Sequence, residues 1–377
     1  MKRGIAGLTR KPAIPTDRKE QQVEELDRSA SVRNVRALVG GVICATLSVY
    51  SILATTVWLL PLHIQMAIFL MISLVATFLL KPLCKKASAS VAGDALFLIC
   101  AVVVGLYIAF NFMALTARVG MPTTTDTIIG VIAVVLVLEA ARRAENWGMV
   151  VIAVVFLLYF RFGYLLPGLL GHKGFDLQRI VTTMYLSTDG LMGIPLQTML
   201  QYVVMFIIFG AFMETLGGAQ FFIRLAMAVA GRFSGGPAQV AVVSSGLMGM
   251  ISGSAVANVA TTGVFTIPLM KRLGYPKHLA GAIEAASSTG GQILPPIMGA
   301  AAFIMAEFLQ VPYLSVVKVA VIPAVLYYVG ISMAVYLEAK KRRLAPIPID
   351  ERPKAKDVFR EYGLYLIPIA TLAGTLL

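Results

Sequence analysis

Long apolar runs separated by short polar stretches dominate this chain, at residues 37–60, 64–80, 95–115, 127–141, 149–166, 199–216 and 316–337. About 20 apolar residues in helical form cross a hydrocarbon layer, so these runs predict membrane-spanning helices. Two longer apolar stretches, 239–270 and 279–309, differ in texture because Gly, Ser, Thr and Pro interrupt them. A last apolar segment begins near Tyr362 and reaches Leu377. Between the fifth and sixth runs, Phe175, Leu177, Ile180, Met184 and Tyr185 recur every three to four residues among polar ones, the spacing of a helix lying along a membrane surface. The pattern predicts an all-α, polytopic integral membrane protein in four parts. These are a flexible cytosolic tail (1–36), a plain helical bundle (37–170), an interfacial arm (171–198) and a second region (199–377) where function should sit.

Composition changes the picture in one respect. The 377 residues are 58% hydrophobic and 14% charged, against roughly 45–50% and about 25% in soluble domains. The excess is surface meant for lipid. The net charge of +13 would raise nucleic acid as a partner for a soluble chain, but its distribution points to the bilayer instead. Nine Lys and Arg precede the first run, and Lys81, Lys85, Lys86, Arg142, Arg143 and Lys340–Arg343 follow alternate later ones. The intervening loops are nearly bare, with Arg161, Lys173 and Arg179 as the exceptions. By the positive-inside rule the N-terminus is cytoplasmic. Cys44, Cys84 and Cys100 have no metal or disulfide spacing and read as small buried residues.

Charge also decides the two unusual stretches. Arg224 and Arg232 precede 239–270, and Lys271, Arg272 and Lys277 follow it, so both ends belong on the cytoplasmic side. The reading that fits is a re-entrant hairpin turning near Ser252–Ser254. In 279–309, Gly290 and Gly291 remove side chains while Pro295 and Pro296 remove two N–H donors, which predicts a discontinuous helix. Irregular backbone at membrane depth survives only where protein or a water-filled cavity satisfies it, so hairpin tip and break should face each other across a polar site. Secondary transporters build ion and anion sites from such parts. Ser252, Ser254 and Asn258 near the tip, and Ser287, Ser288, Thr289 and Gln292 near the break, supply the oxygens a hard alkali cation prefers, and Gly253, Gly290 and Gly291 allow close backbone approach. The small residues also suit plain helix packing, as with Gly246 and Gly249.

The run SGSAVANVATTGVFTIPLMKRLGYPKHLAGAIEAASSTGGQILPP, residues 252–296, resembles the first hairpin and discontinuous helix of the large permease subunit of tripartite ATP-independent periplasmic (TRAP) transporters. The matching pieces are the SGS tip, Pro268 and Met270, the Gly274–Tyr275 turn and the TGGQILPP break. The preceding bundle resembles the small membrane subunit, so the chain looks like a fused 4TM/12TM permease in the bacterial inner membrane. The resemblance implies Na⁺-coupled uptake of organic anions, usually carboxylates, delivered by a periplasmic solute-binding protein, often of the TAXI class. It places Na⁺ on Ser252, Ser254, Asn258, Thr289 and Gly290. Gly253, Gly291 and Gln292 complete the binding region, and Pro295 and Pro296 shape the break. The family has two inverted repeats and this chain holds one, so it is expected to be an N-terminal fragment or a truncated remnant.

Among other ionisable residues, Glu284 in the first half of the broken helix is a candidate for gating. Glu214 and Lys318 are expected near membrane surfaces, and Glu139 in a local ion pair with Arg142 and Arg143. His63, His172 and His278 are isolated, there is no HExxH and no Walker loop, and neither Ser252 nor Ser254 has the glycine two residues before it that a rhomboid GxS would need, so an enzyme is not expected and no cofactor beyond Na⁺ is called for. The alternatives are a Na⁺/dicarboxylate symporter without a binding protein, which the N-terminal bundle argues against, and a channel, which would need a symmetric filter.

Overall fold

The computed structural model describes residues 16–58, 60–83, 87–118, 121–145, 147–187 and 190–376, leaving Cys84 and the first part of the expected tail outside. Among the described residues the structure is helical throughout with no strand. Seven helices among the described residues are long and apolar enough to cross a membrane: Asn34–Thr56, Leu62–Leu80, Gly93–Ala117, Thr124–Ala144, Trp147–Leu165, Ile194–Thr215 and Tyr313–Lys341. They coincide with the seven plain apolar runs. The chain divides into two compact units, one of Met1–Leu47 with Ala67–Leu186 and one of Ser48–Met66 with Ser187–Leu377.

The first unit is built from α1 (Thr16–Thr56), α2 (Leu62–Leu80), α3 (Ala87–Ala117), α4 (Thr124–Ala144), α5 (Trp147–Phe162) and α6 (Leu177–Leu186), with the ends of α1 and α2 shared out as above. α1 already runs from Thr16, the first described residue, where a flexible lead-in was expected. The stretch that follows Pro15 is rich in Glu, Gln, Lys and Arg, which favour helix and let it grow back from the first span. α4 opens on a capping box: Thr123 Oγ1 accepts from Asp126 N at 3.2 Å, and the Asp126 carboxylate accepts from Thr123 N at 2.8 Å. The same carboxylate, fully buried, takes the Tyr107 hydroxyl and pairs with Arg118 at 3.4 Å. α6 is amphipathic as its spacing predicts, and it lies on α4 where a side chain at Gly130 would run into Val181 and Tyr185. Burial holds the Tyr185 phenol well above its usual titration range.

An ionic hub ties this unit together. Arg143, with its side chain only 2% exposed, donates from Nη1 to Asp94 Oδ1 at 2.8 Å and to the Lys81 carbonyl at 3.0 Å. Its Nε donates to Glu139 Oε1 at 2.7 Å, and its guanidinium lies 4.9 Å from the ring centres of both Phe78 and Phe97. Arg36 and the Leu83 amide also donate to Asp94, and Arg142 to Glu139. The expected Glu139 pair is thus present, inside a larger network centred on Asp94.

The second unit begins with α7 (Ile194–Thr198), which passes through one π-helical turn at Met199–Val203 into α8 (Val204–Thr215). The span therefore starts at Ile194, within what was expected to be the interfacial arm. Pro195 is tolerated there because the first turn of a helix has no N–H bonds to lose. Then come α9 (Gly218–Ala230), α10 (Gly236–Ser252), α11 (Ala255–Arg272), α12 (Lys277–Gly290), α13 (Ala300–Leu309), α14 (Tyr313–Lys341), α15 (Ala355–Tyr362) and α16 (Leu366–Leu376). α10 is the axis of this unit. Every residue from Gly236 to Ile251 is buried except Val243 and Leu247, and α9, α11, α12 and α14 pack around it. Amphipathic α15 closes on α9, with Val358 in the core, Arg224 paired to Glu361 at 3.4 Å and stacked 5.2 Å from the Tyr362 ring centre.

The hub yields a prediction. Arg143→Ala would leave Asp94 and Glu139 partly unpaired in a buried setting, a loss of about 3 kcal/mol. Chemical denaturation of the purified protein should register it, and a transition unmoved within about 0.5 kcal/mol would refute the network's role.

Candidate functional site

α10 and α11 form an antiparallel pair with the shortest of turns. Ser252 ends α10, Gly253 takes the left-handed conformation (φ 62°), and Ser254 caps α11 by accepting from Ala257 N at 3.3 Å. Glycine after a helix end and serine before a helix start are the residues this geometry selects. α12 stops at Gly290, a single 3₁₀ turn follows over Gly291–Ile293, and no helix resumes until Ala300. The Pro295–Pro296 peptide in the gap is cis, and the gap is closed by Gly299 N donating to the Gln292 carbonyl at 2.7 Å.

The tip of the first pair meets the gap in the second. A Cβ on Gly253 would lie 2.8 Å from the Met298 carbonyl oxygen, and Gln292 Nε2 donates to the Gly253 carbonyl at 3.5 Å. One turn deeper the two backbones touch: a Cβ on Gly291 would fall 2.5 Å from Gly249 Cα. Gly290 is equally confined, by the ring of Tyr327 and the hydroxyl of Tyr328. Those tyrosines do more than fill space. Tyr327 and Tyr328 donate to the Ala286 and Ser287 carbonyls at 2.9 Å each, and Tyr313 donates to the Pro296 carbonyl at 3.0 Å and to that of Ile297. Carbonyls at the broken end of α12 and in the gap are thereby satisfied from α14.

Beneath the tip lies a buried polar column. Glu284 has no exposed surface, and its Oε1 faces Ser245 Oγ at 2.8 Å, Thr262 Oγ1 at 2.5 Å and Ser288 Oγ at 3.3 Å. Its Oε2 faces Thr266 Oγ1 at 2.5 Å. No salt bridge reaches Glu284 among the described residues. Asn258, one turn above Thr262 on the same face of α11, donates from Nδ2 to the Ser245 carbonyl at 2.6 Å. Its Oδ1 is buried with no hydrogen-bond partner.

Of the residues singled out from sequence, the structure assembles Ser252, Gly253, Ser254, Gln292 and the backbone leading to Gly299 at the tip. It puts Asn258, Gly290 and Gly291 in the buried layer below. Pro295 and Pro296 are half-buried in the gap itself. Thr289 is not brought in: it is exposed and returns its hydroxyl to the Ala285 carbonyl at 2.8 Å. Glu214 and Lys318 are exposed, and Glu214 takes a hydrogen bond from Thr261 at 2.6 Å. Sequence reasoning missed Ser245, Thr262 and Thr266 as partners of Glu284. The signal was available as Asn258, Thr262 and Thr266, four residues apart on one helix face, opposite the Glu284–Ser288 step on the next.

Two outcomes follow from this geometry. Glu284→Ala would strand hydroxyls that now share the carboxyl and lower stability by about 3 kcal/mol, whereas Glu284→Gln keeps an acceptor and a donor in place and should cost under about 1 kcal/mol. Equal losses for both in denaturant titrations would refute the cage. Gly291→Ala has no room against the Gly249 backbone, and we expect its melting temperature to fall by several degrees, a change of about 2 kcal/mol; an unchanged melting curve would mean the two backbones are not in contact.

Comparison with known proteins identifies the family. Residues 132–377 match the family model described as "Tripartite ATP-independent periplasmic transporter, DctM component". The C4-dicarboxylate TRAP transporter large permease protein DctM of Vibrio cholerae is 29% identical over 209 residues, 53% of this chain and 43% of that protein. The Pseudomonas aeruginosa protein of the same name is 32% identical over 143 residues, covering 38% and 33%. The sialic acid TRAP transporter permease protein SiaT of Haemophilus influenzae is 28% identical over 176 residues, covering 46% and 28%. The chain thus spans less than half the length of these relatives. With the family match extending over well more than half of its residues and the seven apolar helices, this multi-pass inner-membrane chain belongs to the DctM-component family of tripartite ATP-independent periplasmic transporter permeases.

Proposed function

We propose that this chain forms part of a Na⁺-coupled permease that imports organic anions, carboxylates above all, handed over by a periplasmic solute-binding protein of the TAXI class. The observation that carries the reading is the meeting of the Ser252–Ser254 tip with the Gln292–Gly299 gap above a buried layer of oxygens. In this reading α10 and α11 are a re-entrant hairpin entering from the cytoplasmic side, on which the N-terminus also lies, and α12 with α13 is a discontinuous helix. Hydroxyl, amide and carbonyl oxygens without fixed charge suit a monovalent hard cation. Ser252, Ser254, Asn258 and the backbone at Gly290 would hold Na⁺, and Thr289 would join them only by rotating its hydroxyl off Ala285. The unpartnered Asn258 Oδ1 is the best single ligand, because a cation would satisfy an oxygen that no donor reaches. Glu284 would hold the layer beneath in register, with a gating part if its hydroxyl shell rearranges.

The named cargoes of the relatives, C4-dicarboxylate and sialic acid, support an anionic substrate. Three of the seven spans precede residue 132, where the family match begins, which supports a small-subunit-like bundle fused ahead of the large component.

The test is uptake of a labelled dicarboxylate by proteoliposomes holding the complete permease, with its binding protein outside. Uptake should require an inward Na⁺ gradient, and Asn258→Ala should raise the half-saturating Na⁺ concentration about tenfold, near 1.4 kcal/mol. Uptake that is equal in K⁺ and Na⁺ would overturn the coupling.

A further inference from the structure

A groove of about 620 Å³ opens on the second unit between α9, α10 and α14, with Leu294 of the gap among the residues that line it. Its floor is Val242, Val243 and Gly246 of α10, and its walls include Phe233, Val329 and Tyr336. The volume falls in the range of small-molecule pockets, but the lining is almost wholly apolar. The amide of Gln239, one of its few polar groups, is already committed to the Ser332 carbonyl at 2.7 Å. Phe233, Val325, Val329 and Met333 are about half exposed, so the groove is open along its side. An occupant must therefore be apolar along most of its length.

Charge at the rim says what the occupant carries at its end. Arg232 lies 5.1 Å from the ring centre of Phe233, and the Lys340 ammonium lies 5.2 Å from that of Tyr336, both rings being part of the groove wall. Both cations are exposed, and neither forms a salt bridge among the described residues. The nearest acid along α14, Glu338, is taken by Arg342 at 2.5 Å. The two cations belong to one end of the groove, because Gly235, three residues after Arg232, lies against Ala339, next to Lys340. A long apolar groove ending in unpaired cations on aromatic rings matches an amphiphile with an apolar tail and an anionic head.

We propose that this groove holds one acyl chain of an anionic phospholipid whose phosphate is bound by Arg232 and Lys340. Headgroup phosphate would replace the counter-ions of the two cations, and the acyl chain would cover the flank of α10 left open at Val243 and Leu247. This inference goes beyond the transport reading and does not depend on it.

The experiment places a photo-reactive p-benzoylphenylalanine at Val329 of the full chain, reconstituted in phosphatidylcholine vesicles containing about a quarter phosphatidylglycerol. After illumination, mass spectrometry identifies what the probe has captured. The expected product is a phospholipid adduct enriched at least about threefold in phosphatidylglycerol over its share of the vesicle. The exposed double variant Arg232→Gln, Lys340→Gln, which should fold normally, should lower that enrichment to the vesicle ratio. Adducts already at the vesicle ratio in the parent chain, an enrichment unaffected by the double variant, or a cross-link to polypeptide instead of lipid would each overturn the proposal.

Discussion

Where no water reaches, a polar group has to find its partners inside the protein, and the second unit is arranged around that demand. Glu284 is the extreme case. Its two oxygens are met by hydroxyls of Ser245, Thr262, Thr266 and Ser288, drawn from α10, α11 and α12. A hydroxyl both donates and accepts, so the shell can adapt its hydrogen positions to the carboxyl without moving heavy atoms. For three helices to converge on one carboxyl, α10 must be thin, and its small residues at Ser244, Ser245, Gly246 and Gly249 make it so. The close passage of Gly249 and Gly291 follows from the same thinness, as does the position of the tip over the gap.

The two units solve the problem of buried polarity differently. The first uses full charges: Arg143 sits between Asp94 and Glu139 with its guanidinium against two phenyl rings. Fork geometry and fixed charge specify one arrangement and resist change. The second relies on hydroxyls, amides and carbonyls, each bond of modest strength. A scaffold benefits from the first solution. A region that must exchange an ion or pass between two packings benefits from the second, since no step has to part a desolvated ion pair.

Much of this was legible in the sequence because the membrane imposes simple rules. Apolar run length located the seven spans, and the Gly-Gly and Pro-Pro pairs located the gap between α12 and α13. Ser252–Gly253–Ser254 marked the turn, since glycine and serine there have definite conformational uses. What escaped was of two kinds. A helix boundary such as Ile194 depends on first-turn tolerance, which run length does not register. Partnerships across helices depend on rotation about each axis. Thr289 sits one residue beyond Ser288, yet the helical step of about 100° turns it outward while Ser288 faces Glu284. The tyrosines of α14 were overlooked for a related reason: an aromatic in an apolar run reads as lipid-facing until its hydroxyl is seen to reach a carbonyl.

Those tyrosines have a mechanical meaning. Tyr327 and Tyr328 grip the end of α12, and Tyr313, about four turns earlier on the same helix, grips the peptide that follows the prolines. One rod is thus clamped at both lips of the opening. The opening has a set width for as long as the clamps hold, and the rod must travel with it in any large displacement. The Pro296 and Ile297 carbonyls lie outside any helix and each keeps a second lone pair, so this lip presents oxygens whose placement is gauged by a neighbouring helix.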